Sequence, residues 1–115
     1  MISLKKILHE VISAYSVEID LFVDKSASHY EITNEIRAVR GVTIVTIITP
    51  DDYVQKTGSS DEYIRIKMKF ITRDEAQEAL QRFLDDVLST EKDKNEYRIQ
   101  GIKSLKFREG TIKRL

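Results

Sequence analysis

From Tyr63 to Ile71 the chain reads YIRIKMKFI, with Ile64, Ile66, Met68 and Phe70 at even positions and Arg65, Lys67 and Lys69 at odd ones. A period of two places the apolar set on one face of an extended strand and the cations on the other. A helix would scatter both sets around its circumference. The stretch therefore demands a sheet with one buried face and one open face.

Three further stretches carry strand signals. Val17, Ile19, Leu21 and Val23 alternate with Glu18, Asp20 and Phe22. Residues 42–49 (VTIVTIIT) are rich in β-branched side chains and stop at Pro50, the one proline. Near the end, Tyr97, Ile99, Leu105 and Phe107 mark an inward set on a last strand with Arg98, Lys106 and Arg108 on its other side, while Ile102 and Lys103 break the alternation. A bulge or bend is expected near Gly101.

Helical stripes lie between and before these strands. Over 3–15, Leu4, Ile7, Leu8, Val11 and Tyr15 share one face, which predicts a short amphipathic helix. Ser28 and Glu31 have capping-box spacing ahead of Ile32, Ile36 and Val39, and Gly41 supplies the stop. Thr72 and Glu75 repeat that spacing ahead of Ala76, Ala79, Leu80, Phe83 and Val87. Segments 51–61 and 89–96 are polar and read as connections.

After the N-terminal helix the order is β-α-β-β-α-β, the split βαβ pattern. The expectation is an α+β fold of the ferredoxin-like kind: an antiparallel sheet of order 4-1-3-2 with two helices on one face, preceded by the amphipathic helix. One domain is expected over 1–115, with a core at 17–108 and a basic tail at 109–115. A chain of 115 residues has the size of one ordinary domain.

Charge and composition narrow the function classes. Nineteen basic residues balance nineteen acidic ones, so no net field draws the chain to nucleic acid or anionic lipid. The absence of cysteine removes disulfides and thiolate chemistry. No apolar run approaches the roughly 18 residues of a membrane span, and the opening MISLKKILHEVIS is too polar for a signal-peptide core. The expected setting is cytoplasmic, without secretion by a signal peptide and without a membrane partner.

In the expected strand order, Glu18 and Asp20 lie between Arg65, Lys67 and Lys69 on one side and Arg98, Lys106 and Arg108 on the other. Opposite charges paired across strands contribute about 0.2–1 kcal/mol each, so this lattice helps set the order. An RNA-binding sheet of the same topology stacks bases on exposed aromatics. Here Phe22 is the only outward ring expected on the two central strands, and nucleic acid is not an expected partner.

Catalytic constellations find no support either. His9 and His29 share no metal spacing with a third ligand. Asp51–Asp52 and Asp85–Asp86 would need burial to retune a carboxylate, and nothing in the surrounding sequence suggests it. No nucleophile elbow surrounds a serine, and Gly58-Ser59-Ser60 lacks the lysine and the strand-to-helix setting of a phosphate loop. No catalytic, cofactor-binding or metal-binding residue is expected, and the chain reads as a non-enzyme.

The second strand is different. Val42, Ile44 and Ile48 are expected to point one way and Val45 and Ile47 the other, so both faces are apolar on what should be an edge strand. An apolar edge invites pairing unless something covers it. Either the N-terminal stripe of Leu4, Ile7, Leu8 and Val11 folds back over it, or a second copy or a neighbouring structural protein does; the stripe itself either packs on its own sheet or docks in a partner's groove. The 51–61 connection is either a solvated loop or an arm that uses Tyr53 and Val54 on a neighbour.

Two families are similar in style. IRAVRGVTIVTII followed by a strand and DEAQEALQRFL resembles, over 17–107, the small ferredoxin-like modules of the ACT and Lrp/AsnC effector-binding type. That resemblance implies a sheet-mediated dimer that senses a small molecule. Their glycine-containing effector motifs are absent here, so the topology carries over and the ligand site does not. MISLKKILHEV and RAVRGVTIVTIIT resemble small virion proteins of tailed phages. That likeness implies a structural subunit of a head, neck or tail assembly, and hence a place within a virion as the alternative to the cytoplasm.

Overall fold

A computed structural model describes residues 12–49, 61–88 and 97–115. The elements are β1 (Ser13–Asp24), α1 (His29–Arg37), β2 (Val42–Ile47), β3 (Asp61–Thr72), α2 (Ala76–Val87), β4 (Ile102–Phe107) and β5 (Lys113–Arg114). Over the described residues the result is a small α+β structure: one antiparallel sheet and two helices.

The strand order is β2-β3-β1-β4, with β5 also on β1. β1 and β3 pair antiparallel along their whole length, from Ser13 opposite Thr72 to Asp24 opposite Asp61. Their alternation sorts the side chains as the sequence requires. Val17, Ile19, Leu21 and Val23 of β1 and Ile64, Ile66, Met68 and Phe70 of β3 are buried. Ile32 and Ile36 of α1 and Leu80, Phe83 and Val87 of α2 join them in one core cluster. Burying such side chains stabilises the fold by roughly 1.5–3 kcal/mol each.

The two helix starts differ. The Ser28 hydroxyl accepts the Glu31 N–H at 3.3 Å and caps α1 as expected. At α2 the expected Thr72/Glu75 box does not form. Thr72 is the last residue of β3, its hydroxyl accepts the Asp74 N–H at 3.0 Å, and the helix begins only after Glu75. A threonine hydroxyl satisfies a tight turn as readily as a helix end, and here the strand holds it for the turn.

The expected helix over 3–15 is corrected at its C-terminal end. Ser13, Ala14 and Tyr15 belong to β1, and Tyr15 stacks on Phe70 across the ladder with ring centroids 5.7 Å apart. Tyr15 satisfied a helical stripe in sequence, but it equally continues the odd-numbered period of Val17 and Ile19, and that period wins. The rest of the segment, with Leu4, Ile7, Leu8 and Val11, lies outside the described residues.

The end of the chain also departs from expectation. β4 starts at Ile102, so Arg98 precedes it in a turn rather than facing outward from a strand. Gly101 makes that turn with φ +97°, and a Cβ there would lie 2.7 Å from the Ala27 Cβ. A register shift opposite Phe22 and Val23 leaves Lys103 as the extra residue, which lets Ile102 and Leu105 both face inward. Residues 113–114, expected in a basic tail, are instead paired with β1: Lys113 lies opposite Ser16 and Arg114 opposite Tyr15. Thr111 fastens the link, because its hydroxyl accepts the Glu18 N–H at 3.1 Å.

Candidate assembly edge

Glycine geometry and a bulge place β2. Gly41, at φ +90°, turns the chain out of α1, and its carbonyl accepts the Ile71 N–H at 2.8 Å. β2 then runs antiparallel to β3 at the border of the sheet, as expected of residues 42–49. The register shifts between Val42, opposite Phe70, and Ile44, opposite Lys69, with Thr43 inserted between them. Its hydroxyl donates to the Lys69 carbonyl at 3.2 Å.

This bulge corrects the expected grouping of side chains. Val42 shares the core side with Val45 and Ile47, whose partners Phe70, Met68 and Ile66 are all buried. Ile44, Thr46 and Ile48 share the open side with Lys69, Lys67 and Arg65. Both faces are apolar, but with a different membership. α1 packs on β2 and Val45 is buried, whereas Ile44 and Ile47 are 48% and 44% exposed. Val42 and Ile48 are half-buried. Tyr53 and Val54 lie outside the described residues.

The backbone of β2 is polarised as well. The Ile48 N–H donates to the Arg65 carbonyl at 2.7 Å, so Ile48, and by alternation Thr46 and Ile44, turn their amide groups toward β3. The N–H and C=O groups of Val45 and Ile47 therefore point away from the sheet. A row of outward backbone donors and acceptors flanked by exposed isoleucines is the template for strand addition.

The open face at the centre of the sheet is built differently. Asp20 accepts from the Tyr63 hydroxyl at 2.6 Å and from Arg65 Nε at 3.0 Å, and Arg108 reaches its other oxygen at 3.4 Å. Arg108 Nε also lies 3.7 Å from Glu18. Burial works to raise the Asp20 pKa, but the bonds from Tyr63 and Arg65 and the charges of Arg65 and Arg108 outweigh it and hold the carboxyl below its usual range. For Tyr63, burial and the bond to Asp20 push the phenol up. The expected lattice of an acidic strand between basic ones is present, carried mainly by Arg65 and Arg108. Across the ladder Lys67 lies opposite Glu18, and Arg65 opposite Asp20.

Sequence reasoning missed several residues here. Tyr63 joins Phe22 as an outward-phase ring, with centroids 5.6 Å apart, but it is 8% exposed and its hydroxyl is engaged. The odd-numbered phase it shares with Arg65 was the available signal. His29 contacts Glu62 at 3.2 Å. At the far end of the ladder, exposed Ile12 and Ile71 border a shallow groove with Arg40, Arg73 and Phe83, and Arg82 there is paired with Asp74.

Among the described residues, no group of three or more histidine and carboxylate side chains is spaced to hold a metal ion. No helix among them is long and apolar enough to cross a membrane. Comparison with known proteins returns no matching family model, no similar curated protein and no similar solved structure.

Proposed function

We propose that this chain is a non-enzymatic assembly subunit, built on a ferredoxin-like scaffold, that joins its neighbours by strand addition at β2. The observation that carries the reading is the edge itself: Ile44 and Ile47 are both substantially exposed on opposite faces of a border strand whose Val45 and Ile47 amides point outward. The element order and the strand order support the scaffold. The tailed-phage resemblance gives the class of assembly, a head, neck or tail structure. Its partners are further copies of the chain or neighbouring structural proteins.

The polar centre supports the non-enzymatic part. A catalytic acid or base works best with a pKa near the operating pH. Asp20, the carboxylate most closely surrounded by donors, is driven the other way and is occupied by Tyr63, Arg65 and Arg108. Such a group organises the sheet.

Light scattering across a concentration series tests the proposal. The wild-type chain should associate, and Ile44→Lys should return it to monomer while leaving its circular dichroism unchanged. A chain that stays monomeric at the highest concentration, or that associates equally well with Ile44→Lys, removes the proposal.

A further inference from the structure

We infer that β2 pairs with β2 of a second copy, antiparallel, about a twofold axis that passes through Thr46. This rests on the assembly reading above and adds to it a partner and a register.

The backbone limits the choices first. Opposed residues in an antiparallel ladder either both direct their amides at each other or both turn them away. Val45 and Ile47 point outward and Ile44, Thr46 and Ile48 inward, so an outward residue must face an outward one. Registers displaced by a single residue break this rule. They would also set the helix-covered face of one copy level with the open face of the other.

Among the remaining registers the side chains decide. With Thr46 opposite Thr46, Val45 faces Ile47 and Ile44 faces Ile48 of the second copy. Every exposed isoleucine of the strand then meets an aliphatic partner, and the one polar residue on the contact meets its own copy. Sliding two residues one way sets Ile44 against Thr46 and Ile47 against Thr43. Sliding two the other way sets Thr46 against Ile48 and Val45 against Thr49. Apolar cross-strand pairs and threonine pairs are the stabilising kinds, so the Thr46-centred register wins. On each side of the axis, Val45 and Ile47 exchange a reciprocal pair of N–H···O=C bonds.

Charge permits this contact. Residues 42–49 contain no ionisable side chain, and the nearest cations on the open face, Arg65, Lys67 and Lys69, sit one strand back on β3. Like lysines in the two copies are three strand spacings apart, about 14 Å. That exceeds the screening length of about 8 Å at physiological salt. The bulge at Thr43 lies outside the paired stretch. A contact this short falls below the roughly 800 Å² per partner of a standard interface, so the pair is weak alone and gains strength from repetition in an assembly.

The chain has no cysteine, so single cysteines report the register directly. In the inferred pair the two Thr46 residues form the closely spaced, non-hydrogen-bonded kind, about 4.5 Å between Cα atoms, within the span a disulfide bridges. The two Ile44 residues are offset by four positions, about 13 Å along the strand. Under mild oxidation, Thr46→Cys should form disulfide dimers at least about tenfold faster than Ile44→Cys or Val45→Cys, given how steeply bridging depends on distance. A mixture of Ile44→Cys and Ile48→Cys chains should cross-link to each other. If Val45→Cys cross-links faster than Thr46→Cys, the register is wrong and assembly through β2 still holds. If no β2 cysteine cross-links while light scattering shows association that Ile44→Lys abolishes, the twofold pairing falls and the edge reading survives. A chain that remains monomeric removes both.

Discussion

The centre of the sheet and its β2 border are made of similar material and finish their open faces in opposite ways. On β1 and β3 the core-phase residues from Val17 to Val23 and from Ile64 to Phe70 are buried, and the middle of the outward phase is tied by internal partners, Asp20 with Tyr63, Arg65 and Arg108 and Glu18 with Arg108, while Phe22 and Ile71 at its ends stay exposed. On β2 the outward phase is Ile44, Thr46 and Ile48, with no charge to pair, and even the core phase runs out of cover at Ile47. A strand whose polar face is satisfied at home is structural. A strand whose apolar faces extend past its own helices carries the proposal of a neighbour at this border.

The sharpest way to break this comparison is in the core. Ile66 is fully buried, and Ile66→Ala should cost about 2–5 kcal/mol in urea unfolding. Ile47 sits directly opposite it in the ladder, yet Ile47→Ala should cost the isolated chain about 1 kcal/mol or less because nearly half of the residue already meets water. Equal losses at the two positions would mean that β2 is as enclosed as β3.

The polar centre comes next. Asp20→Asn should cost about 1.5–3 kcal/mol near neutrality, since it weakens several charge-assisted bonds at once. A double-mutant cycle of Asp20 with Arg65 should give a coupling near 1 kcal/mol, above that of Glu18 with Lys67. The folded-state pKa of Asp20 lies below its unfolded value, so its contribution is complete above the ordinary carboxylate range and is lost as pH falls through the lower value. The gap between wild type and Asp20→Asn should therefore narrow as unfolding is repeated at progressively more acid pH. Tyr63 acts in the opposite sense: its raised pKa favours the neutral phenol, a contribution present below the ordinary phenol value and lost as pH rises through and above it. A gap that does not change on acidification would contradict the ionised network.

The smallest effect belongs to the border. Ile44→Lys should change the unfolding free energy of the dilute monomer by less than about 0.5 kcal/mol, although on the proposed reading it should also remove association. A large loss in dilute solution would show that Ile44 supports its own fold.

Much of this was legible in the sequence because alternation over 17–23 and 63–71 admits only one assignment of faces, and the strand order follows from where the helices must go. The misreadings share a physical origin. Tyr15 fits two periods, and the long ladder to Phe70 decides between them. Thr72 can serve a turn or a cap, and the end of β3 decides. The bulge at Thr43 moves Val42 to the other face, and a single insertion leaves no mark in a short apolar run, whereas the bulge at Lys103 was signalled by the broken alternation at Ile102 and Lys103. Lys113 and Arg114 look like a tail, because the hydroxyl of Thr111 that ties them to Glu18 is one ordinary threonine in sequence. For the candidate edge, the apolar character of β2 could be read directly, whereas the outward aim of the Val45 and Ile47 amides needed the ladder.

Amide hydrogen exchange at Val45 and Ile47, followed as protein concentration rises, addresses the border most directly. Both N–H groups should exchange quickly in dilute solution and become protected as the chain associates, while the inward amides of Ile44 and Thr46 change little and Ile44→Lys abolishes the protection. Exchange at Val45 and Ile47 that is slow at the lowest concentration, or that stays fast at the highest, would contradict the view of β2 as a surface awaiting another strand.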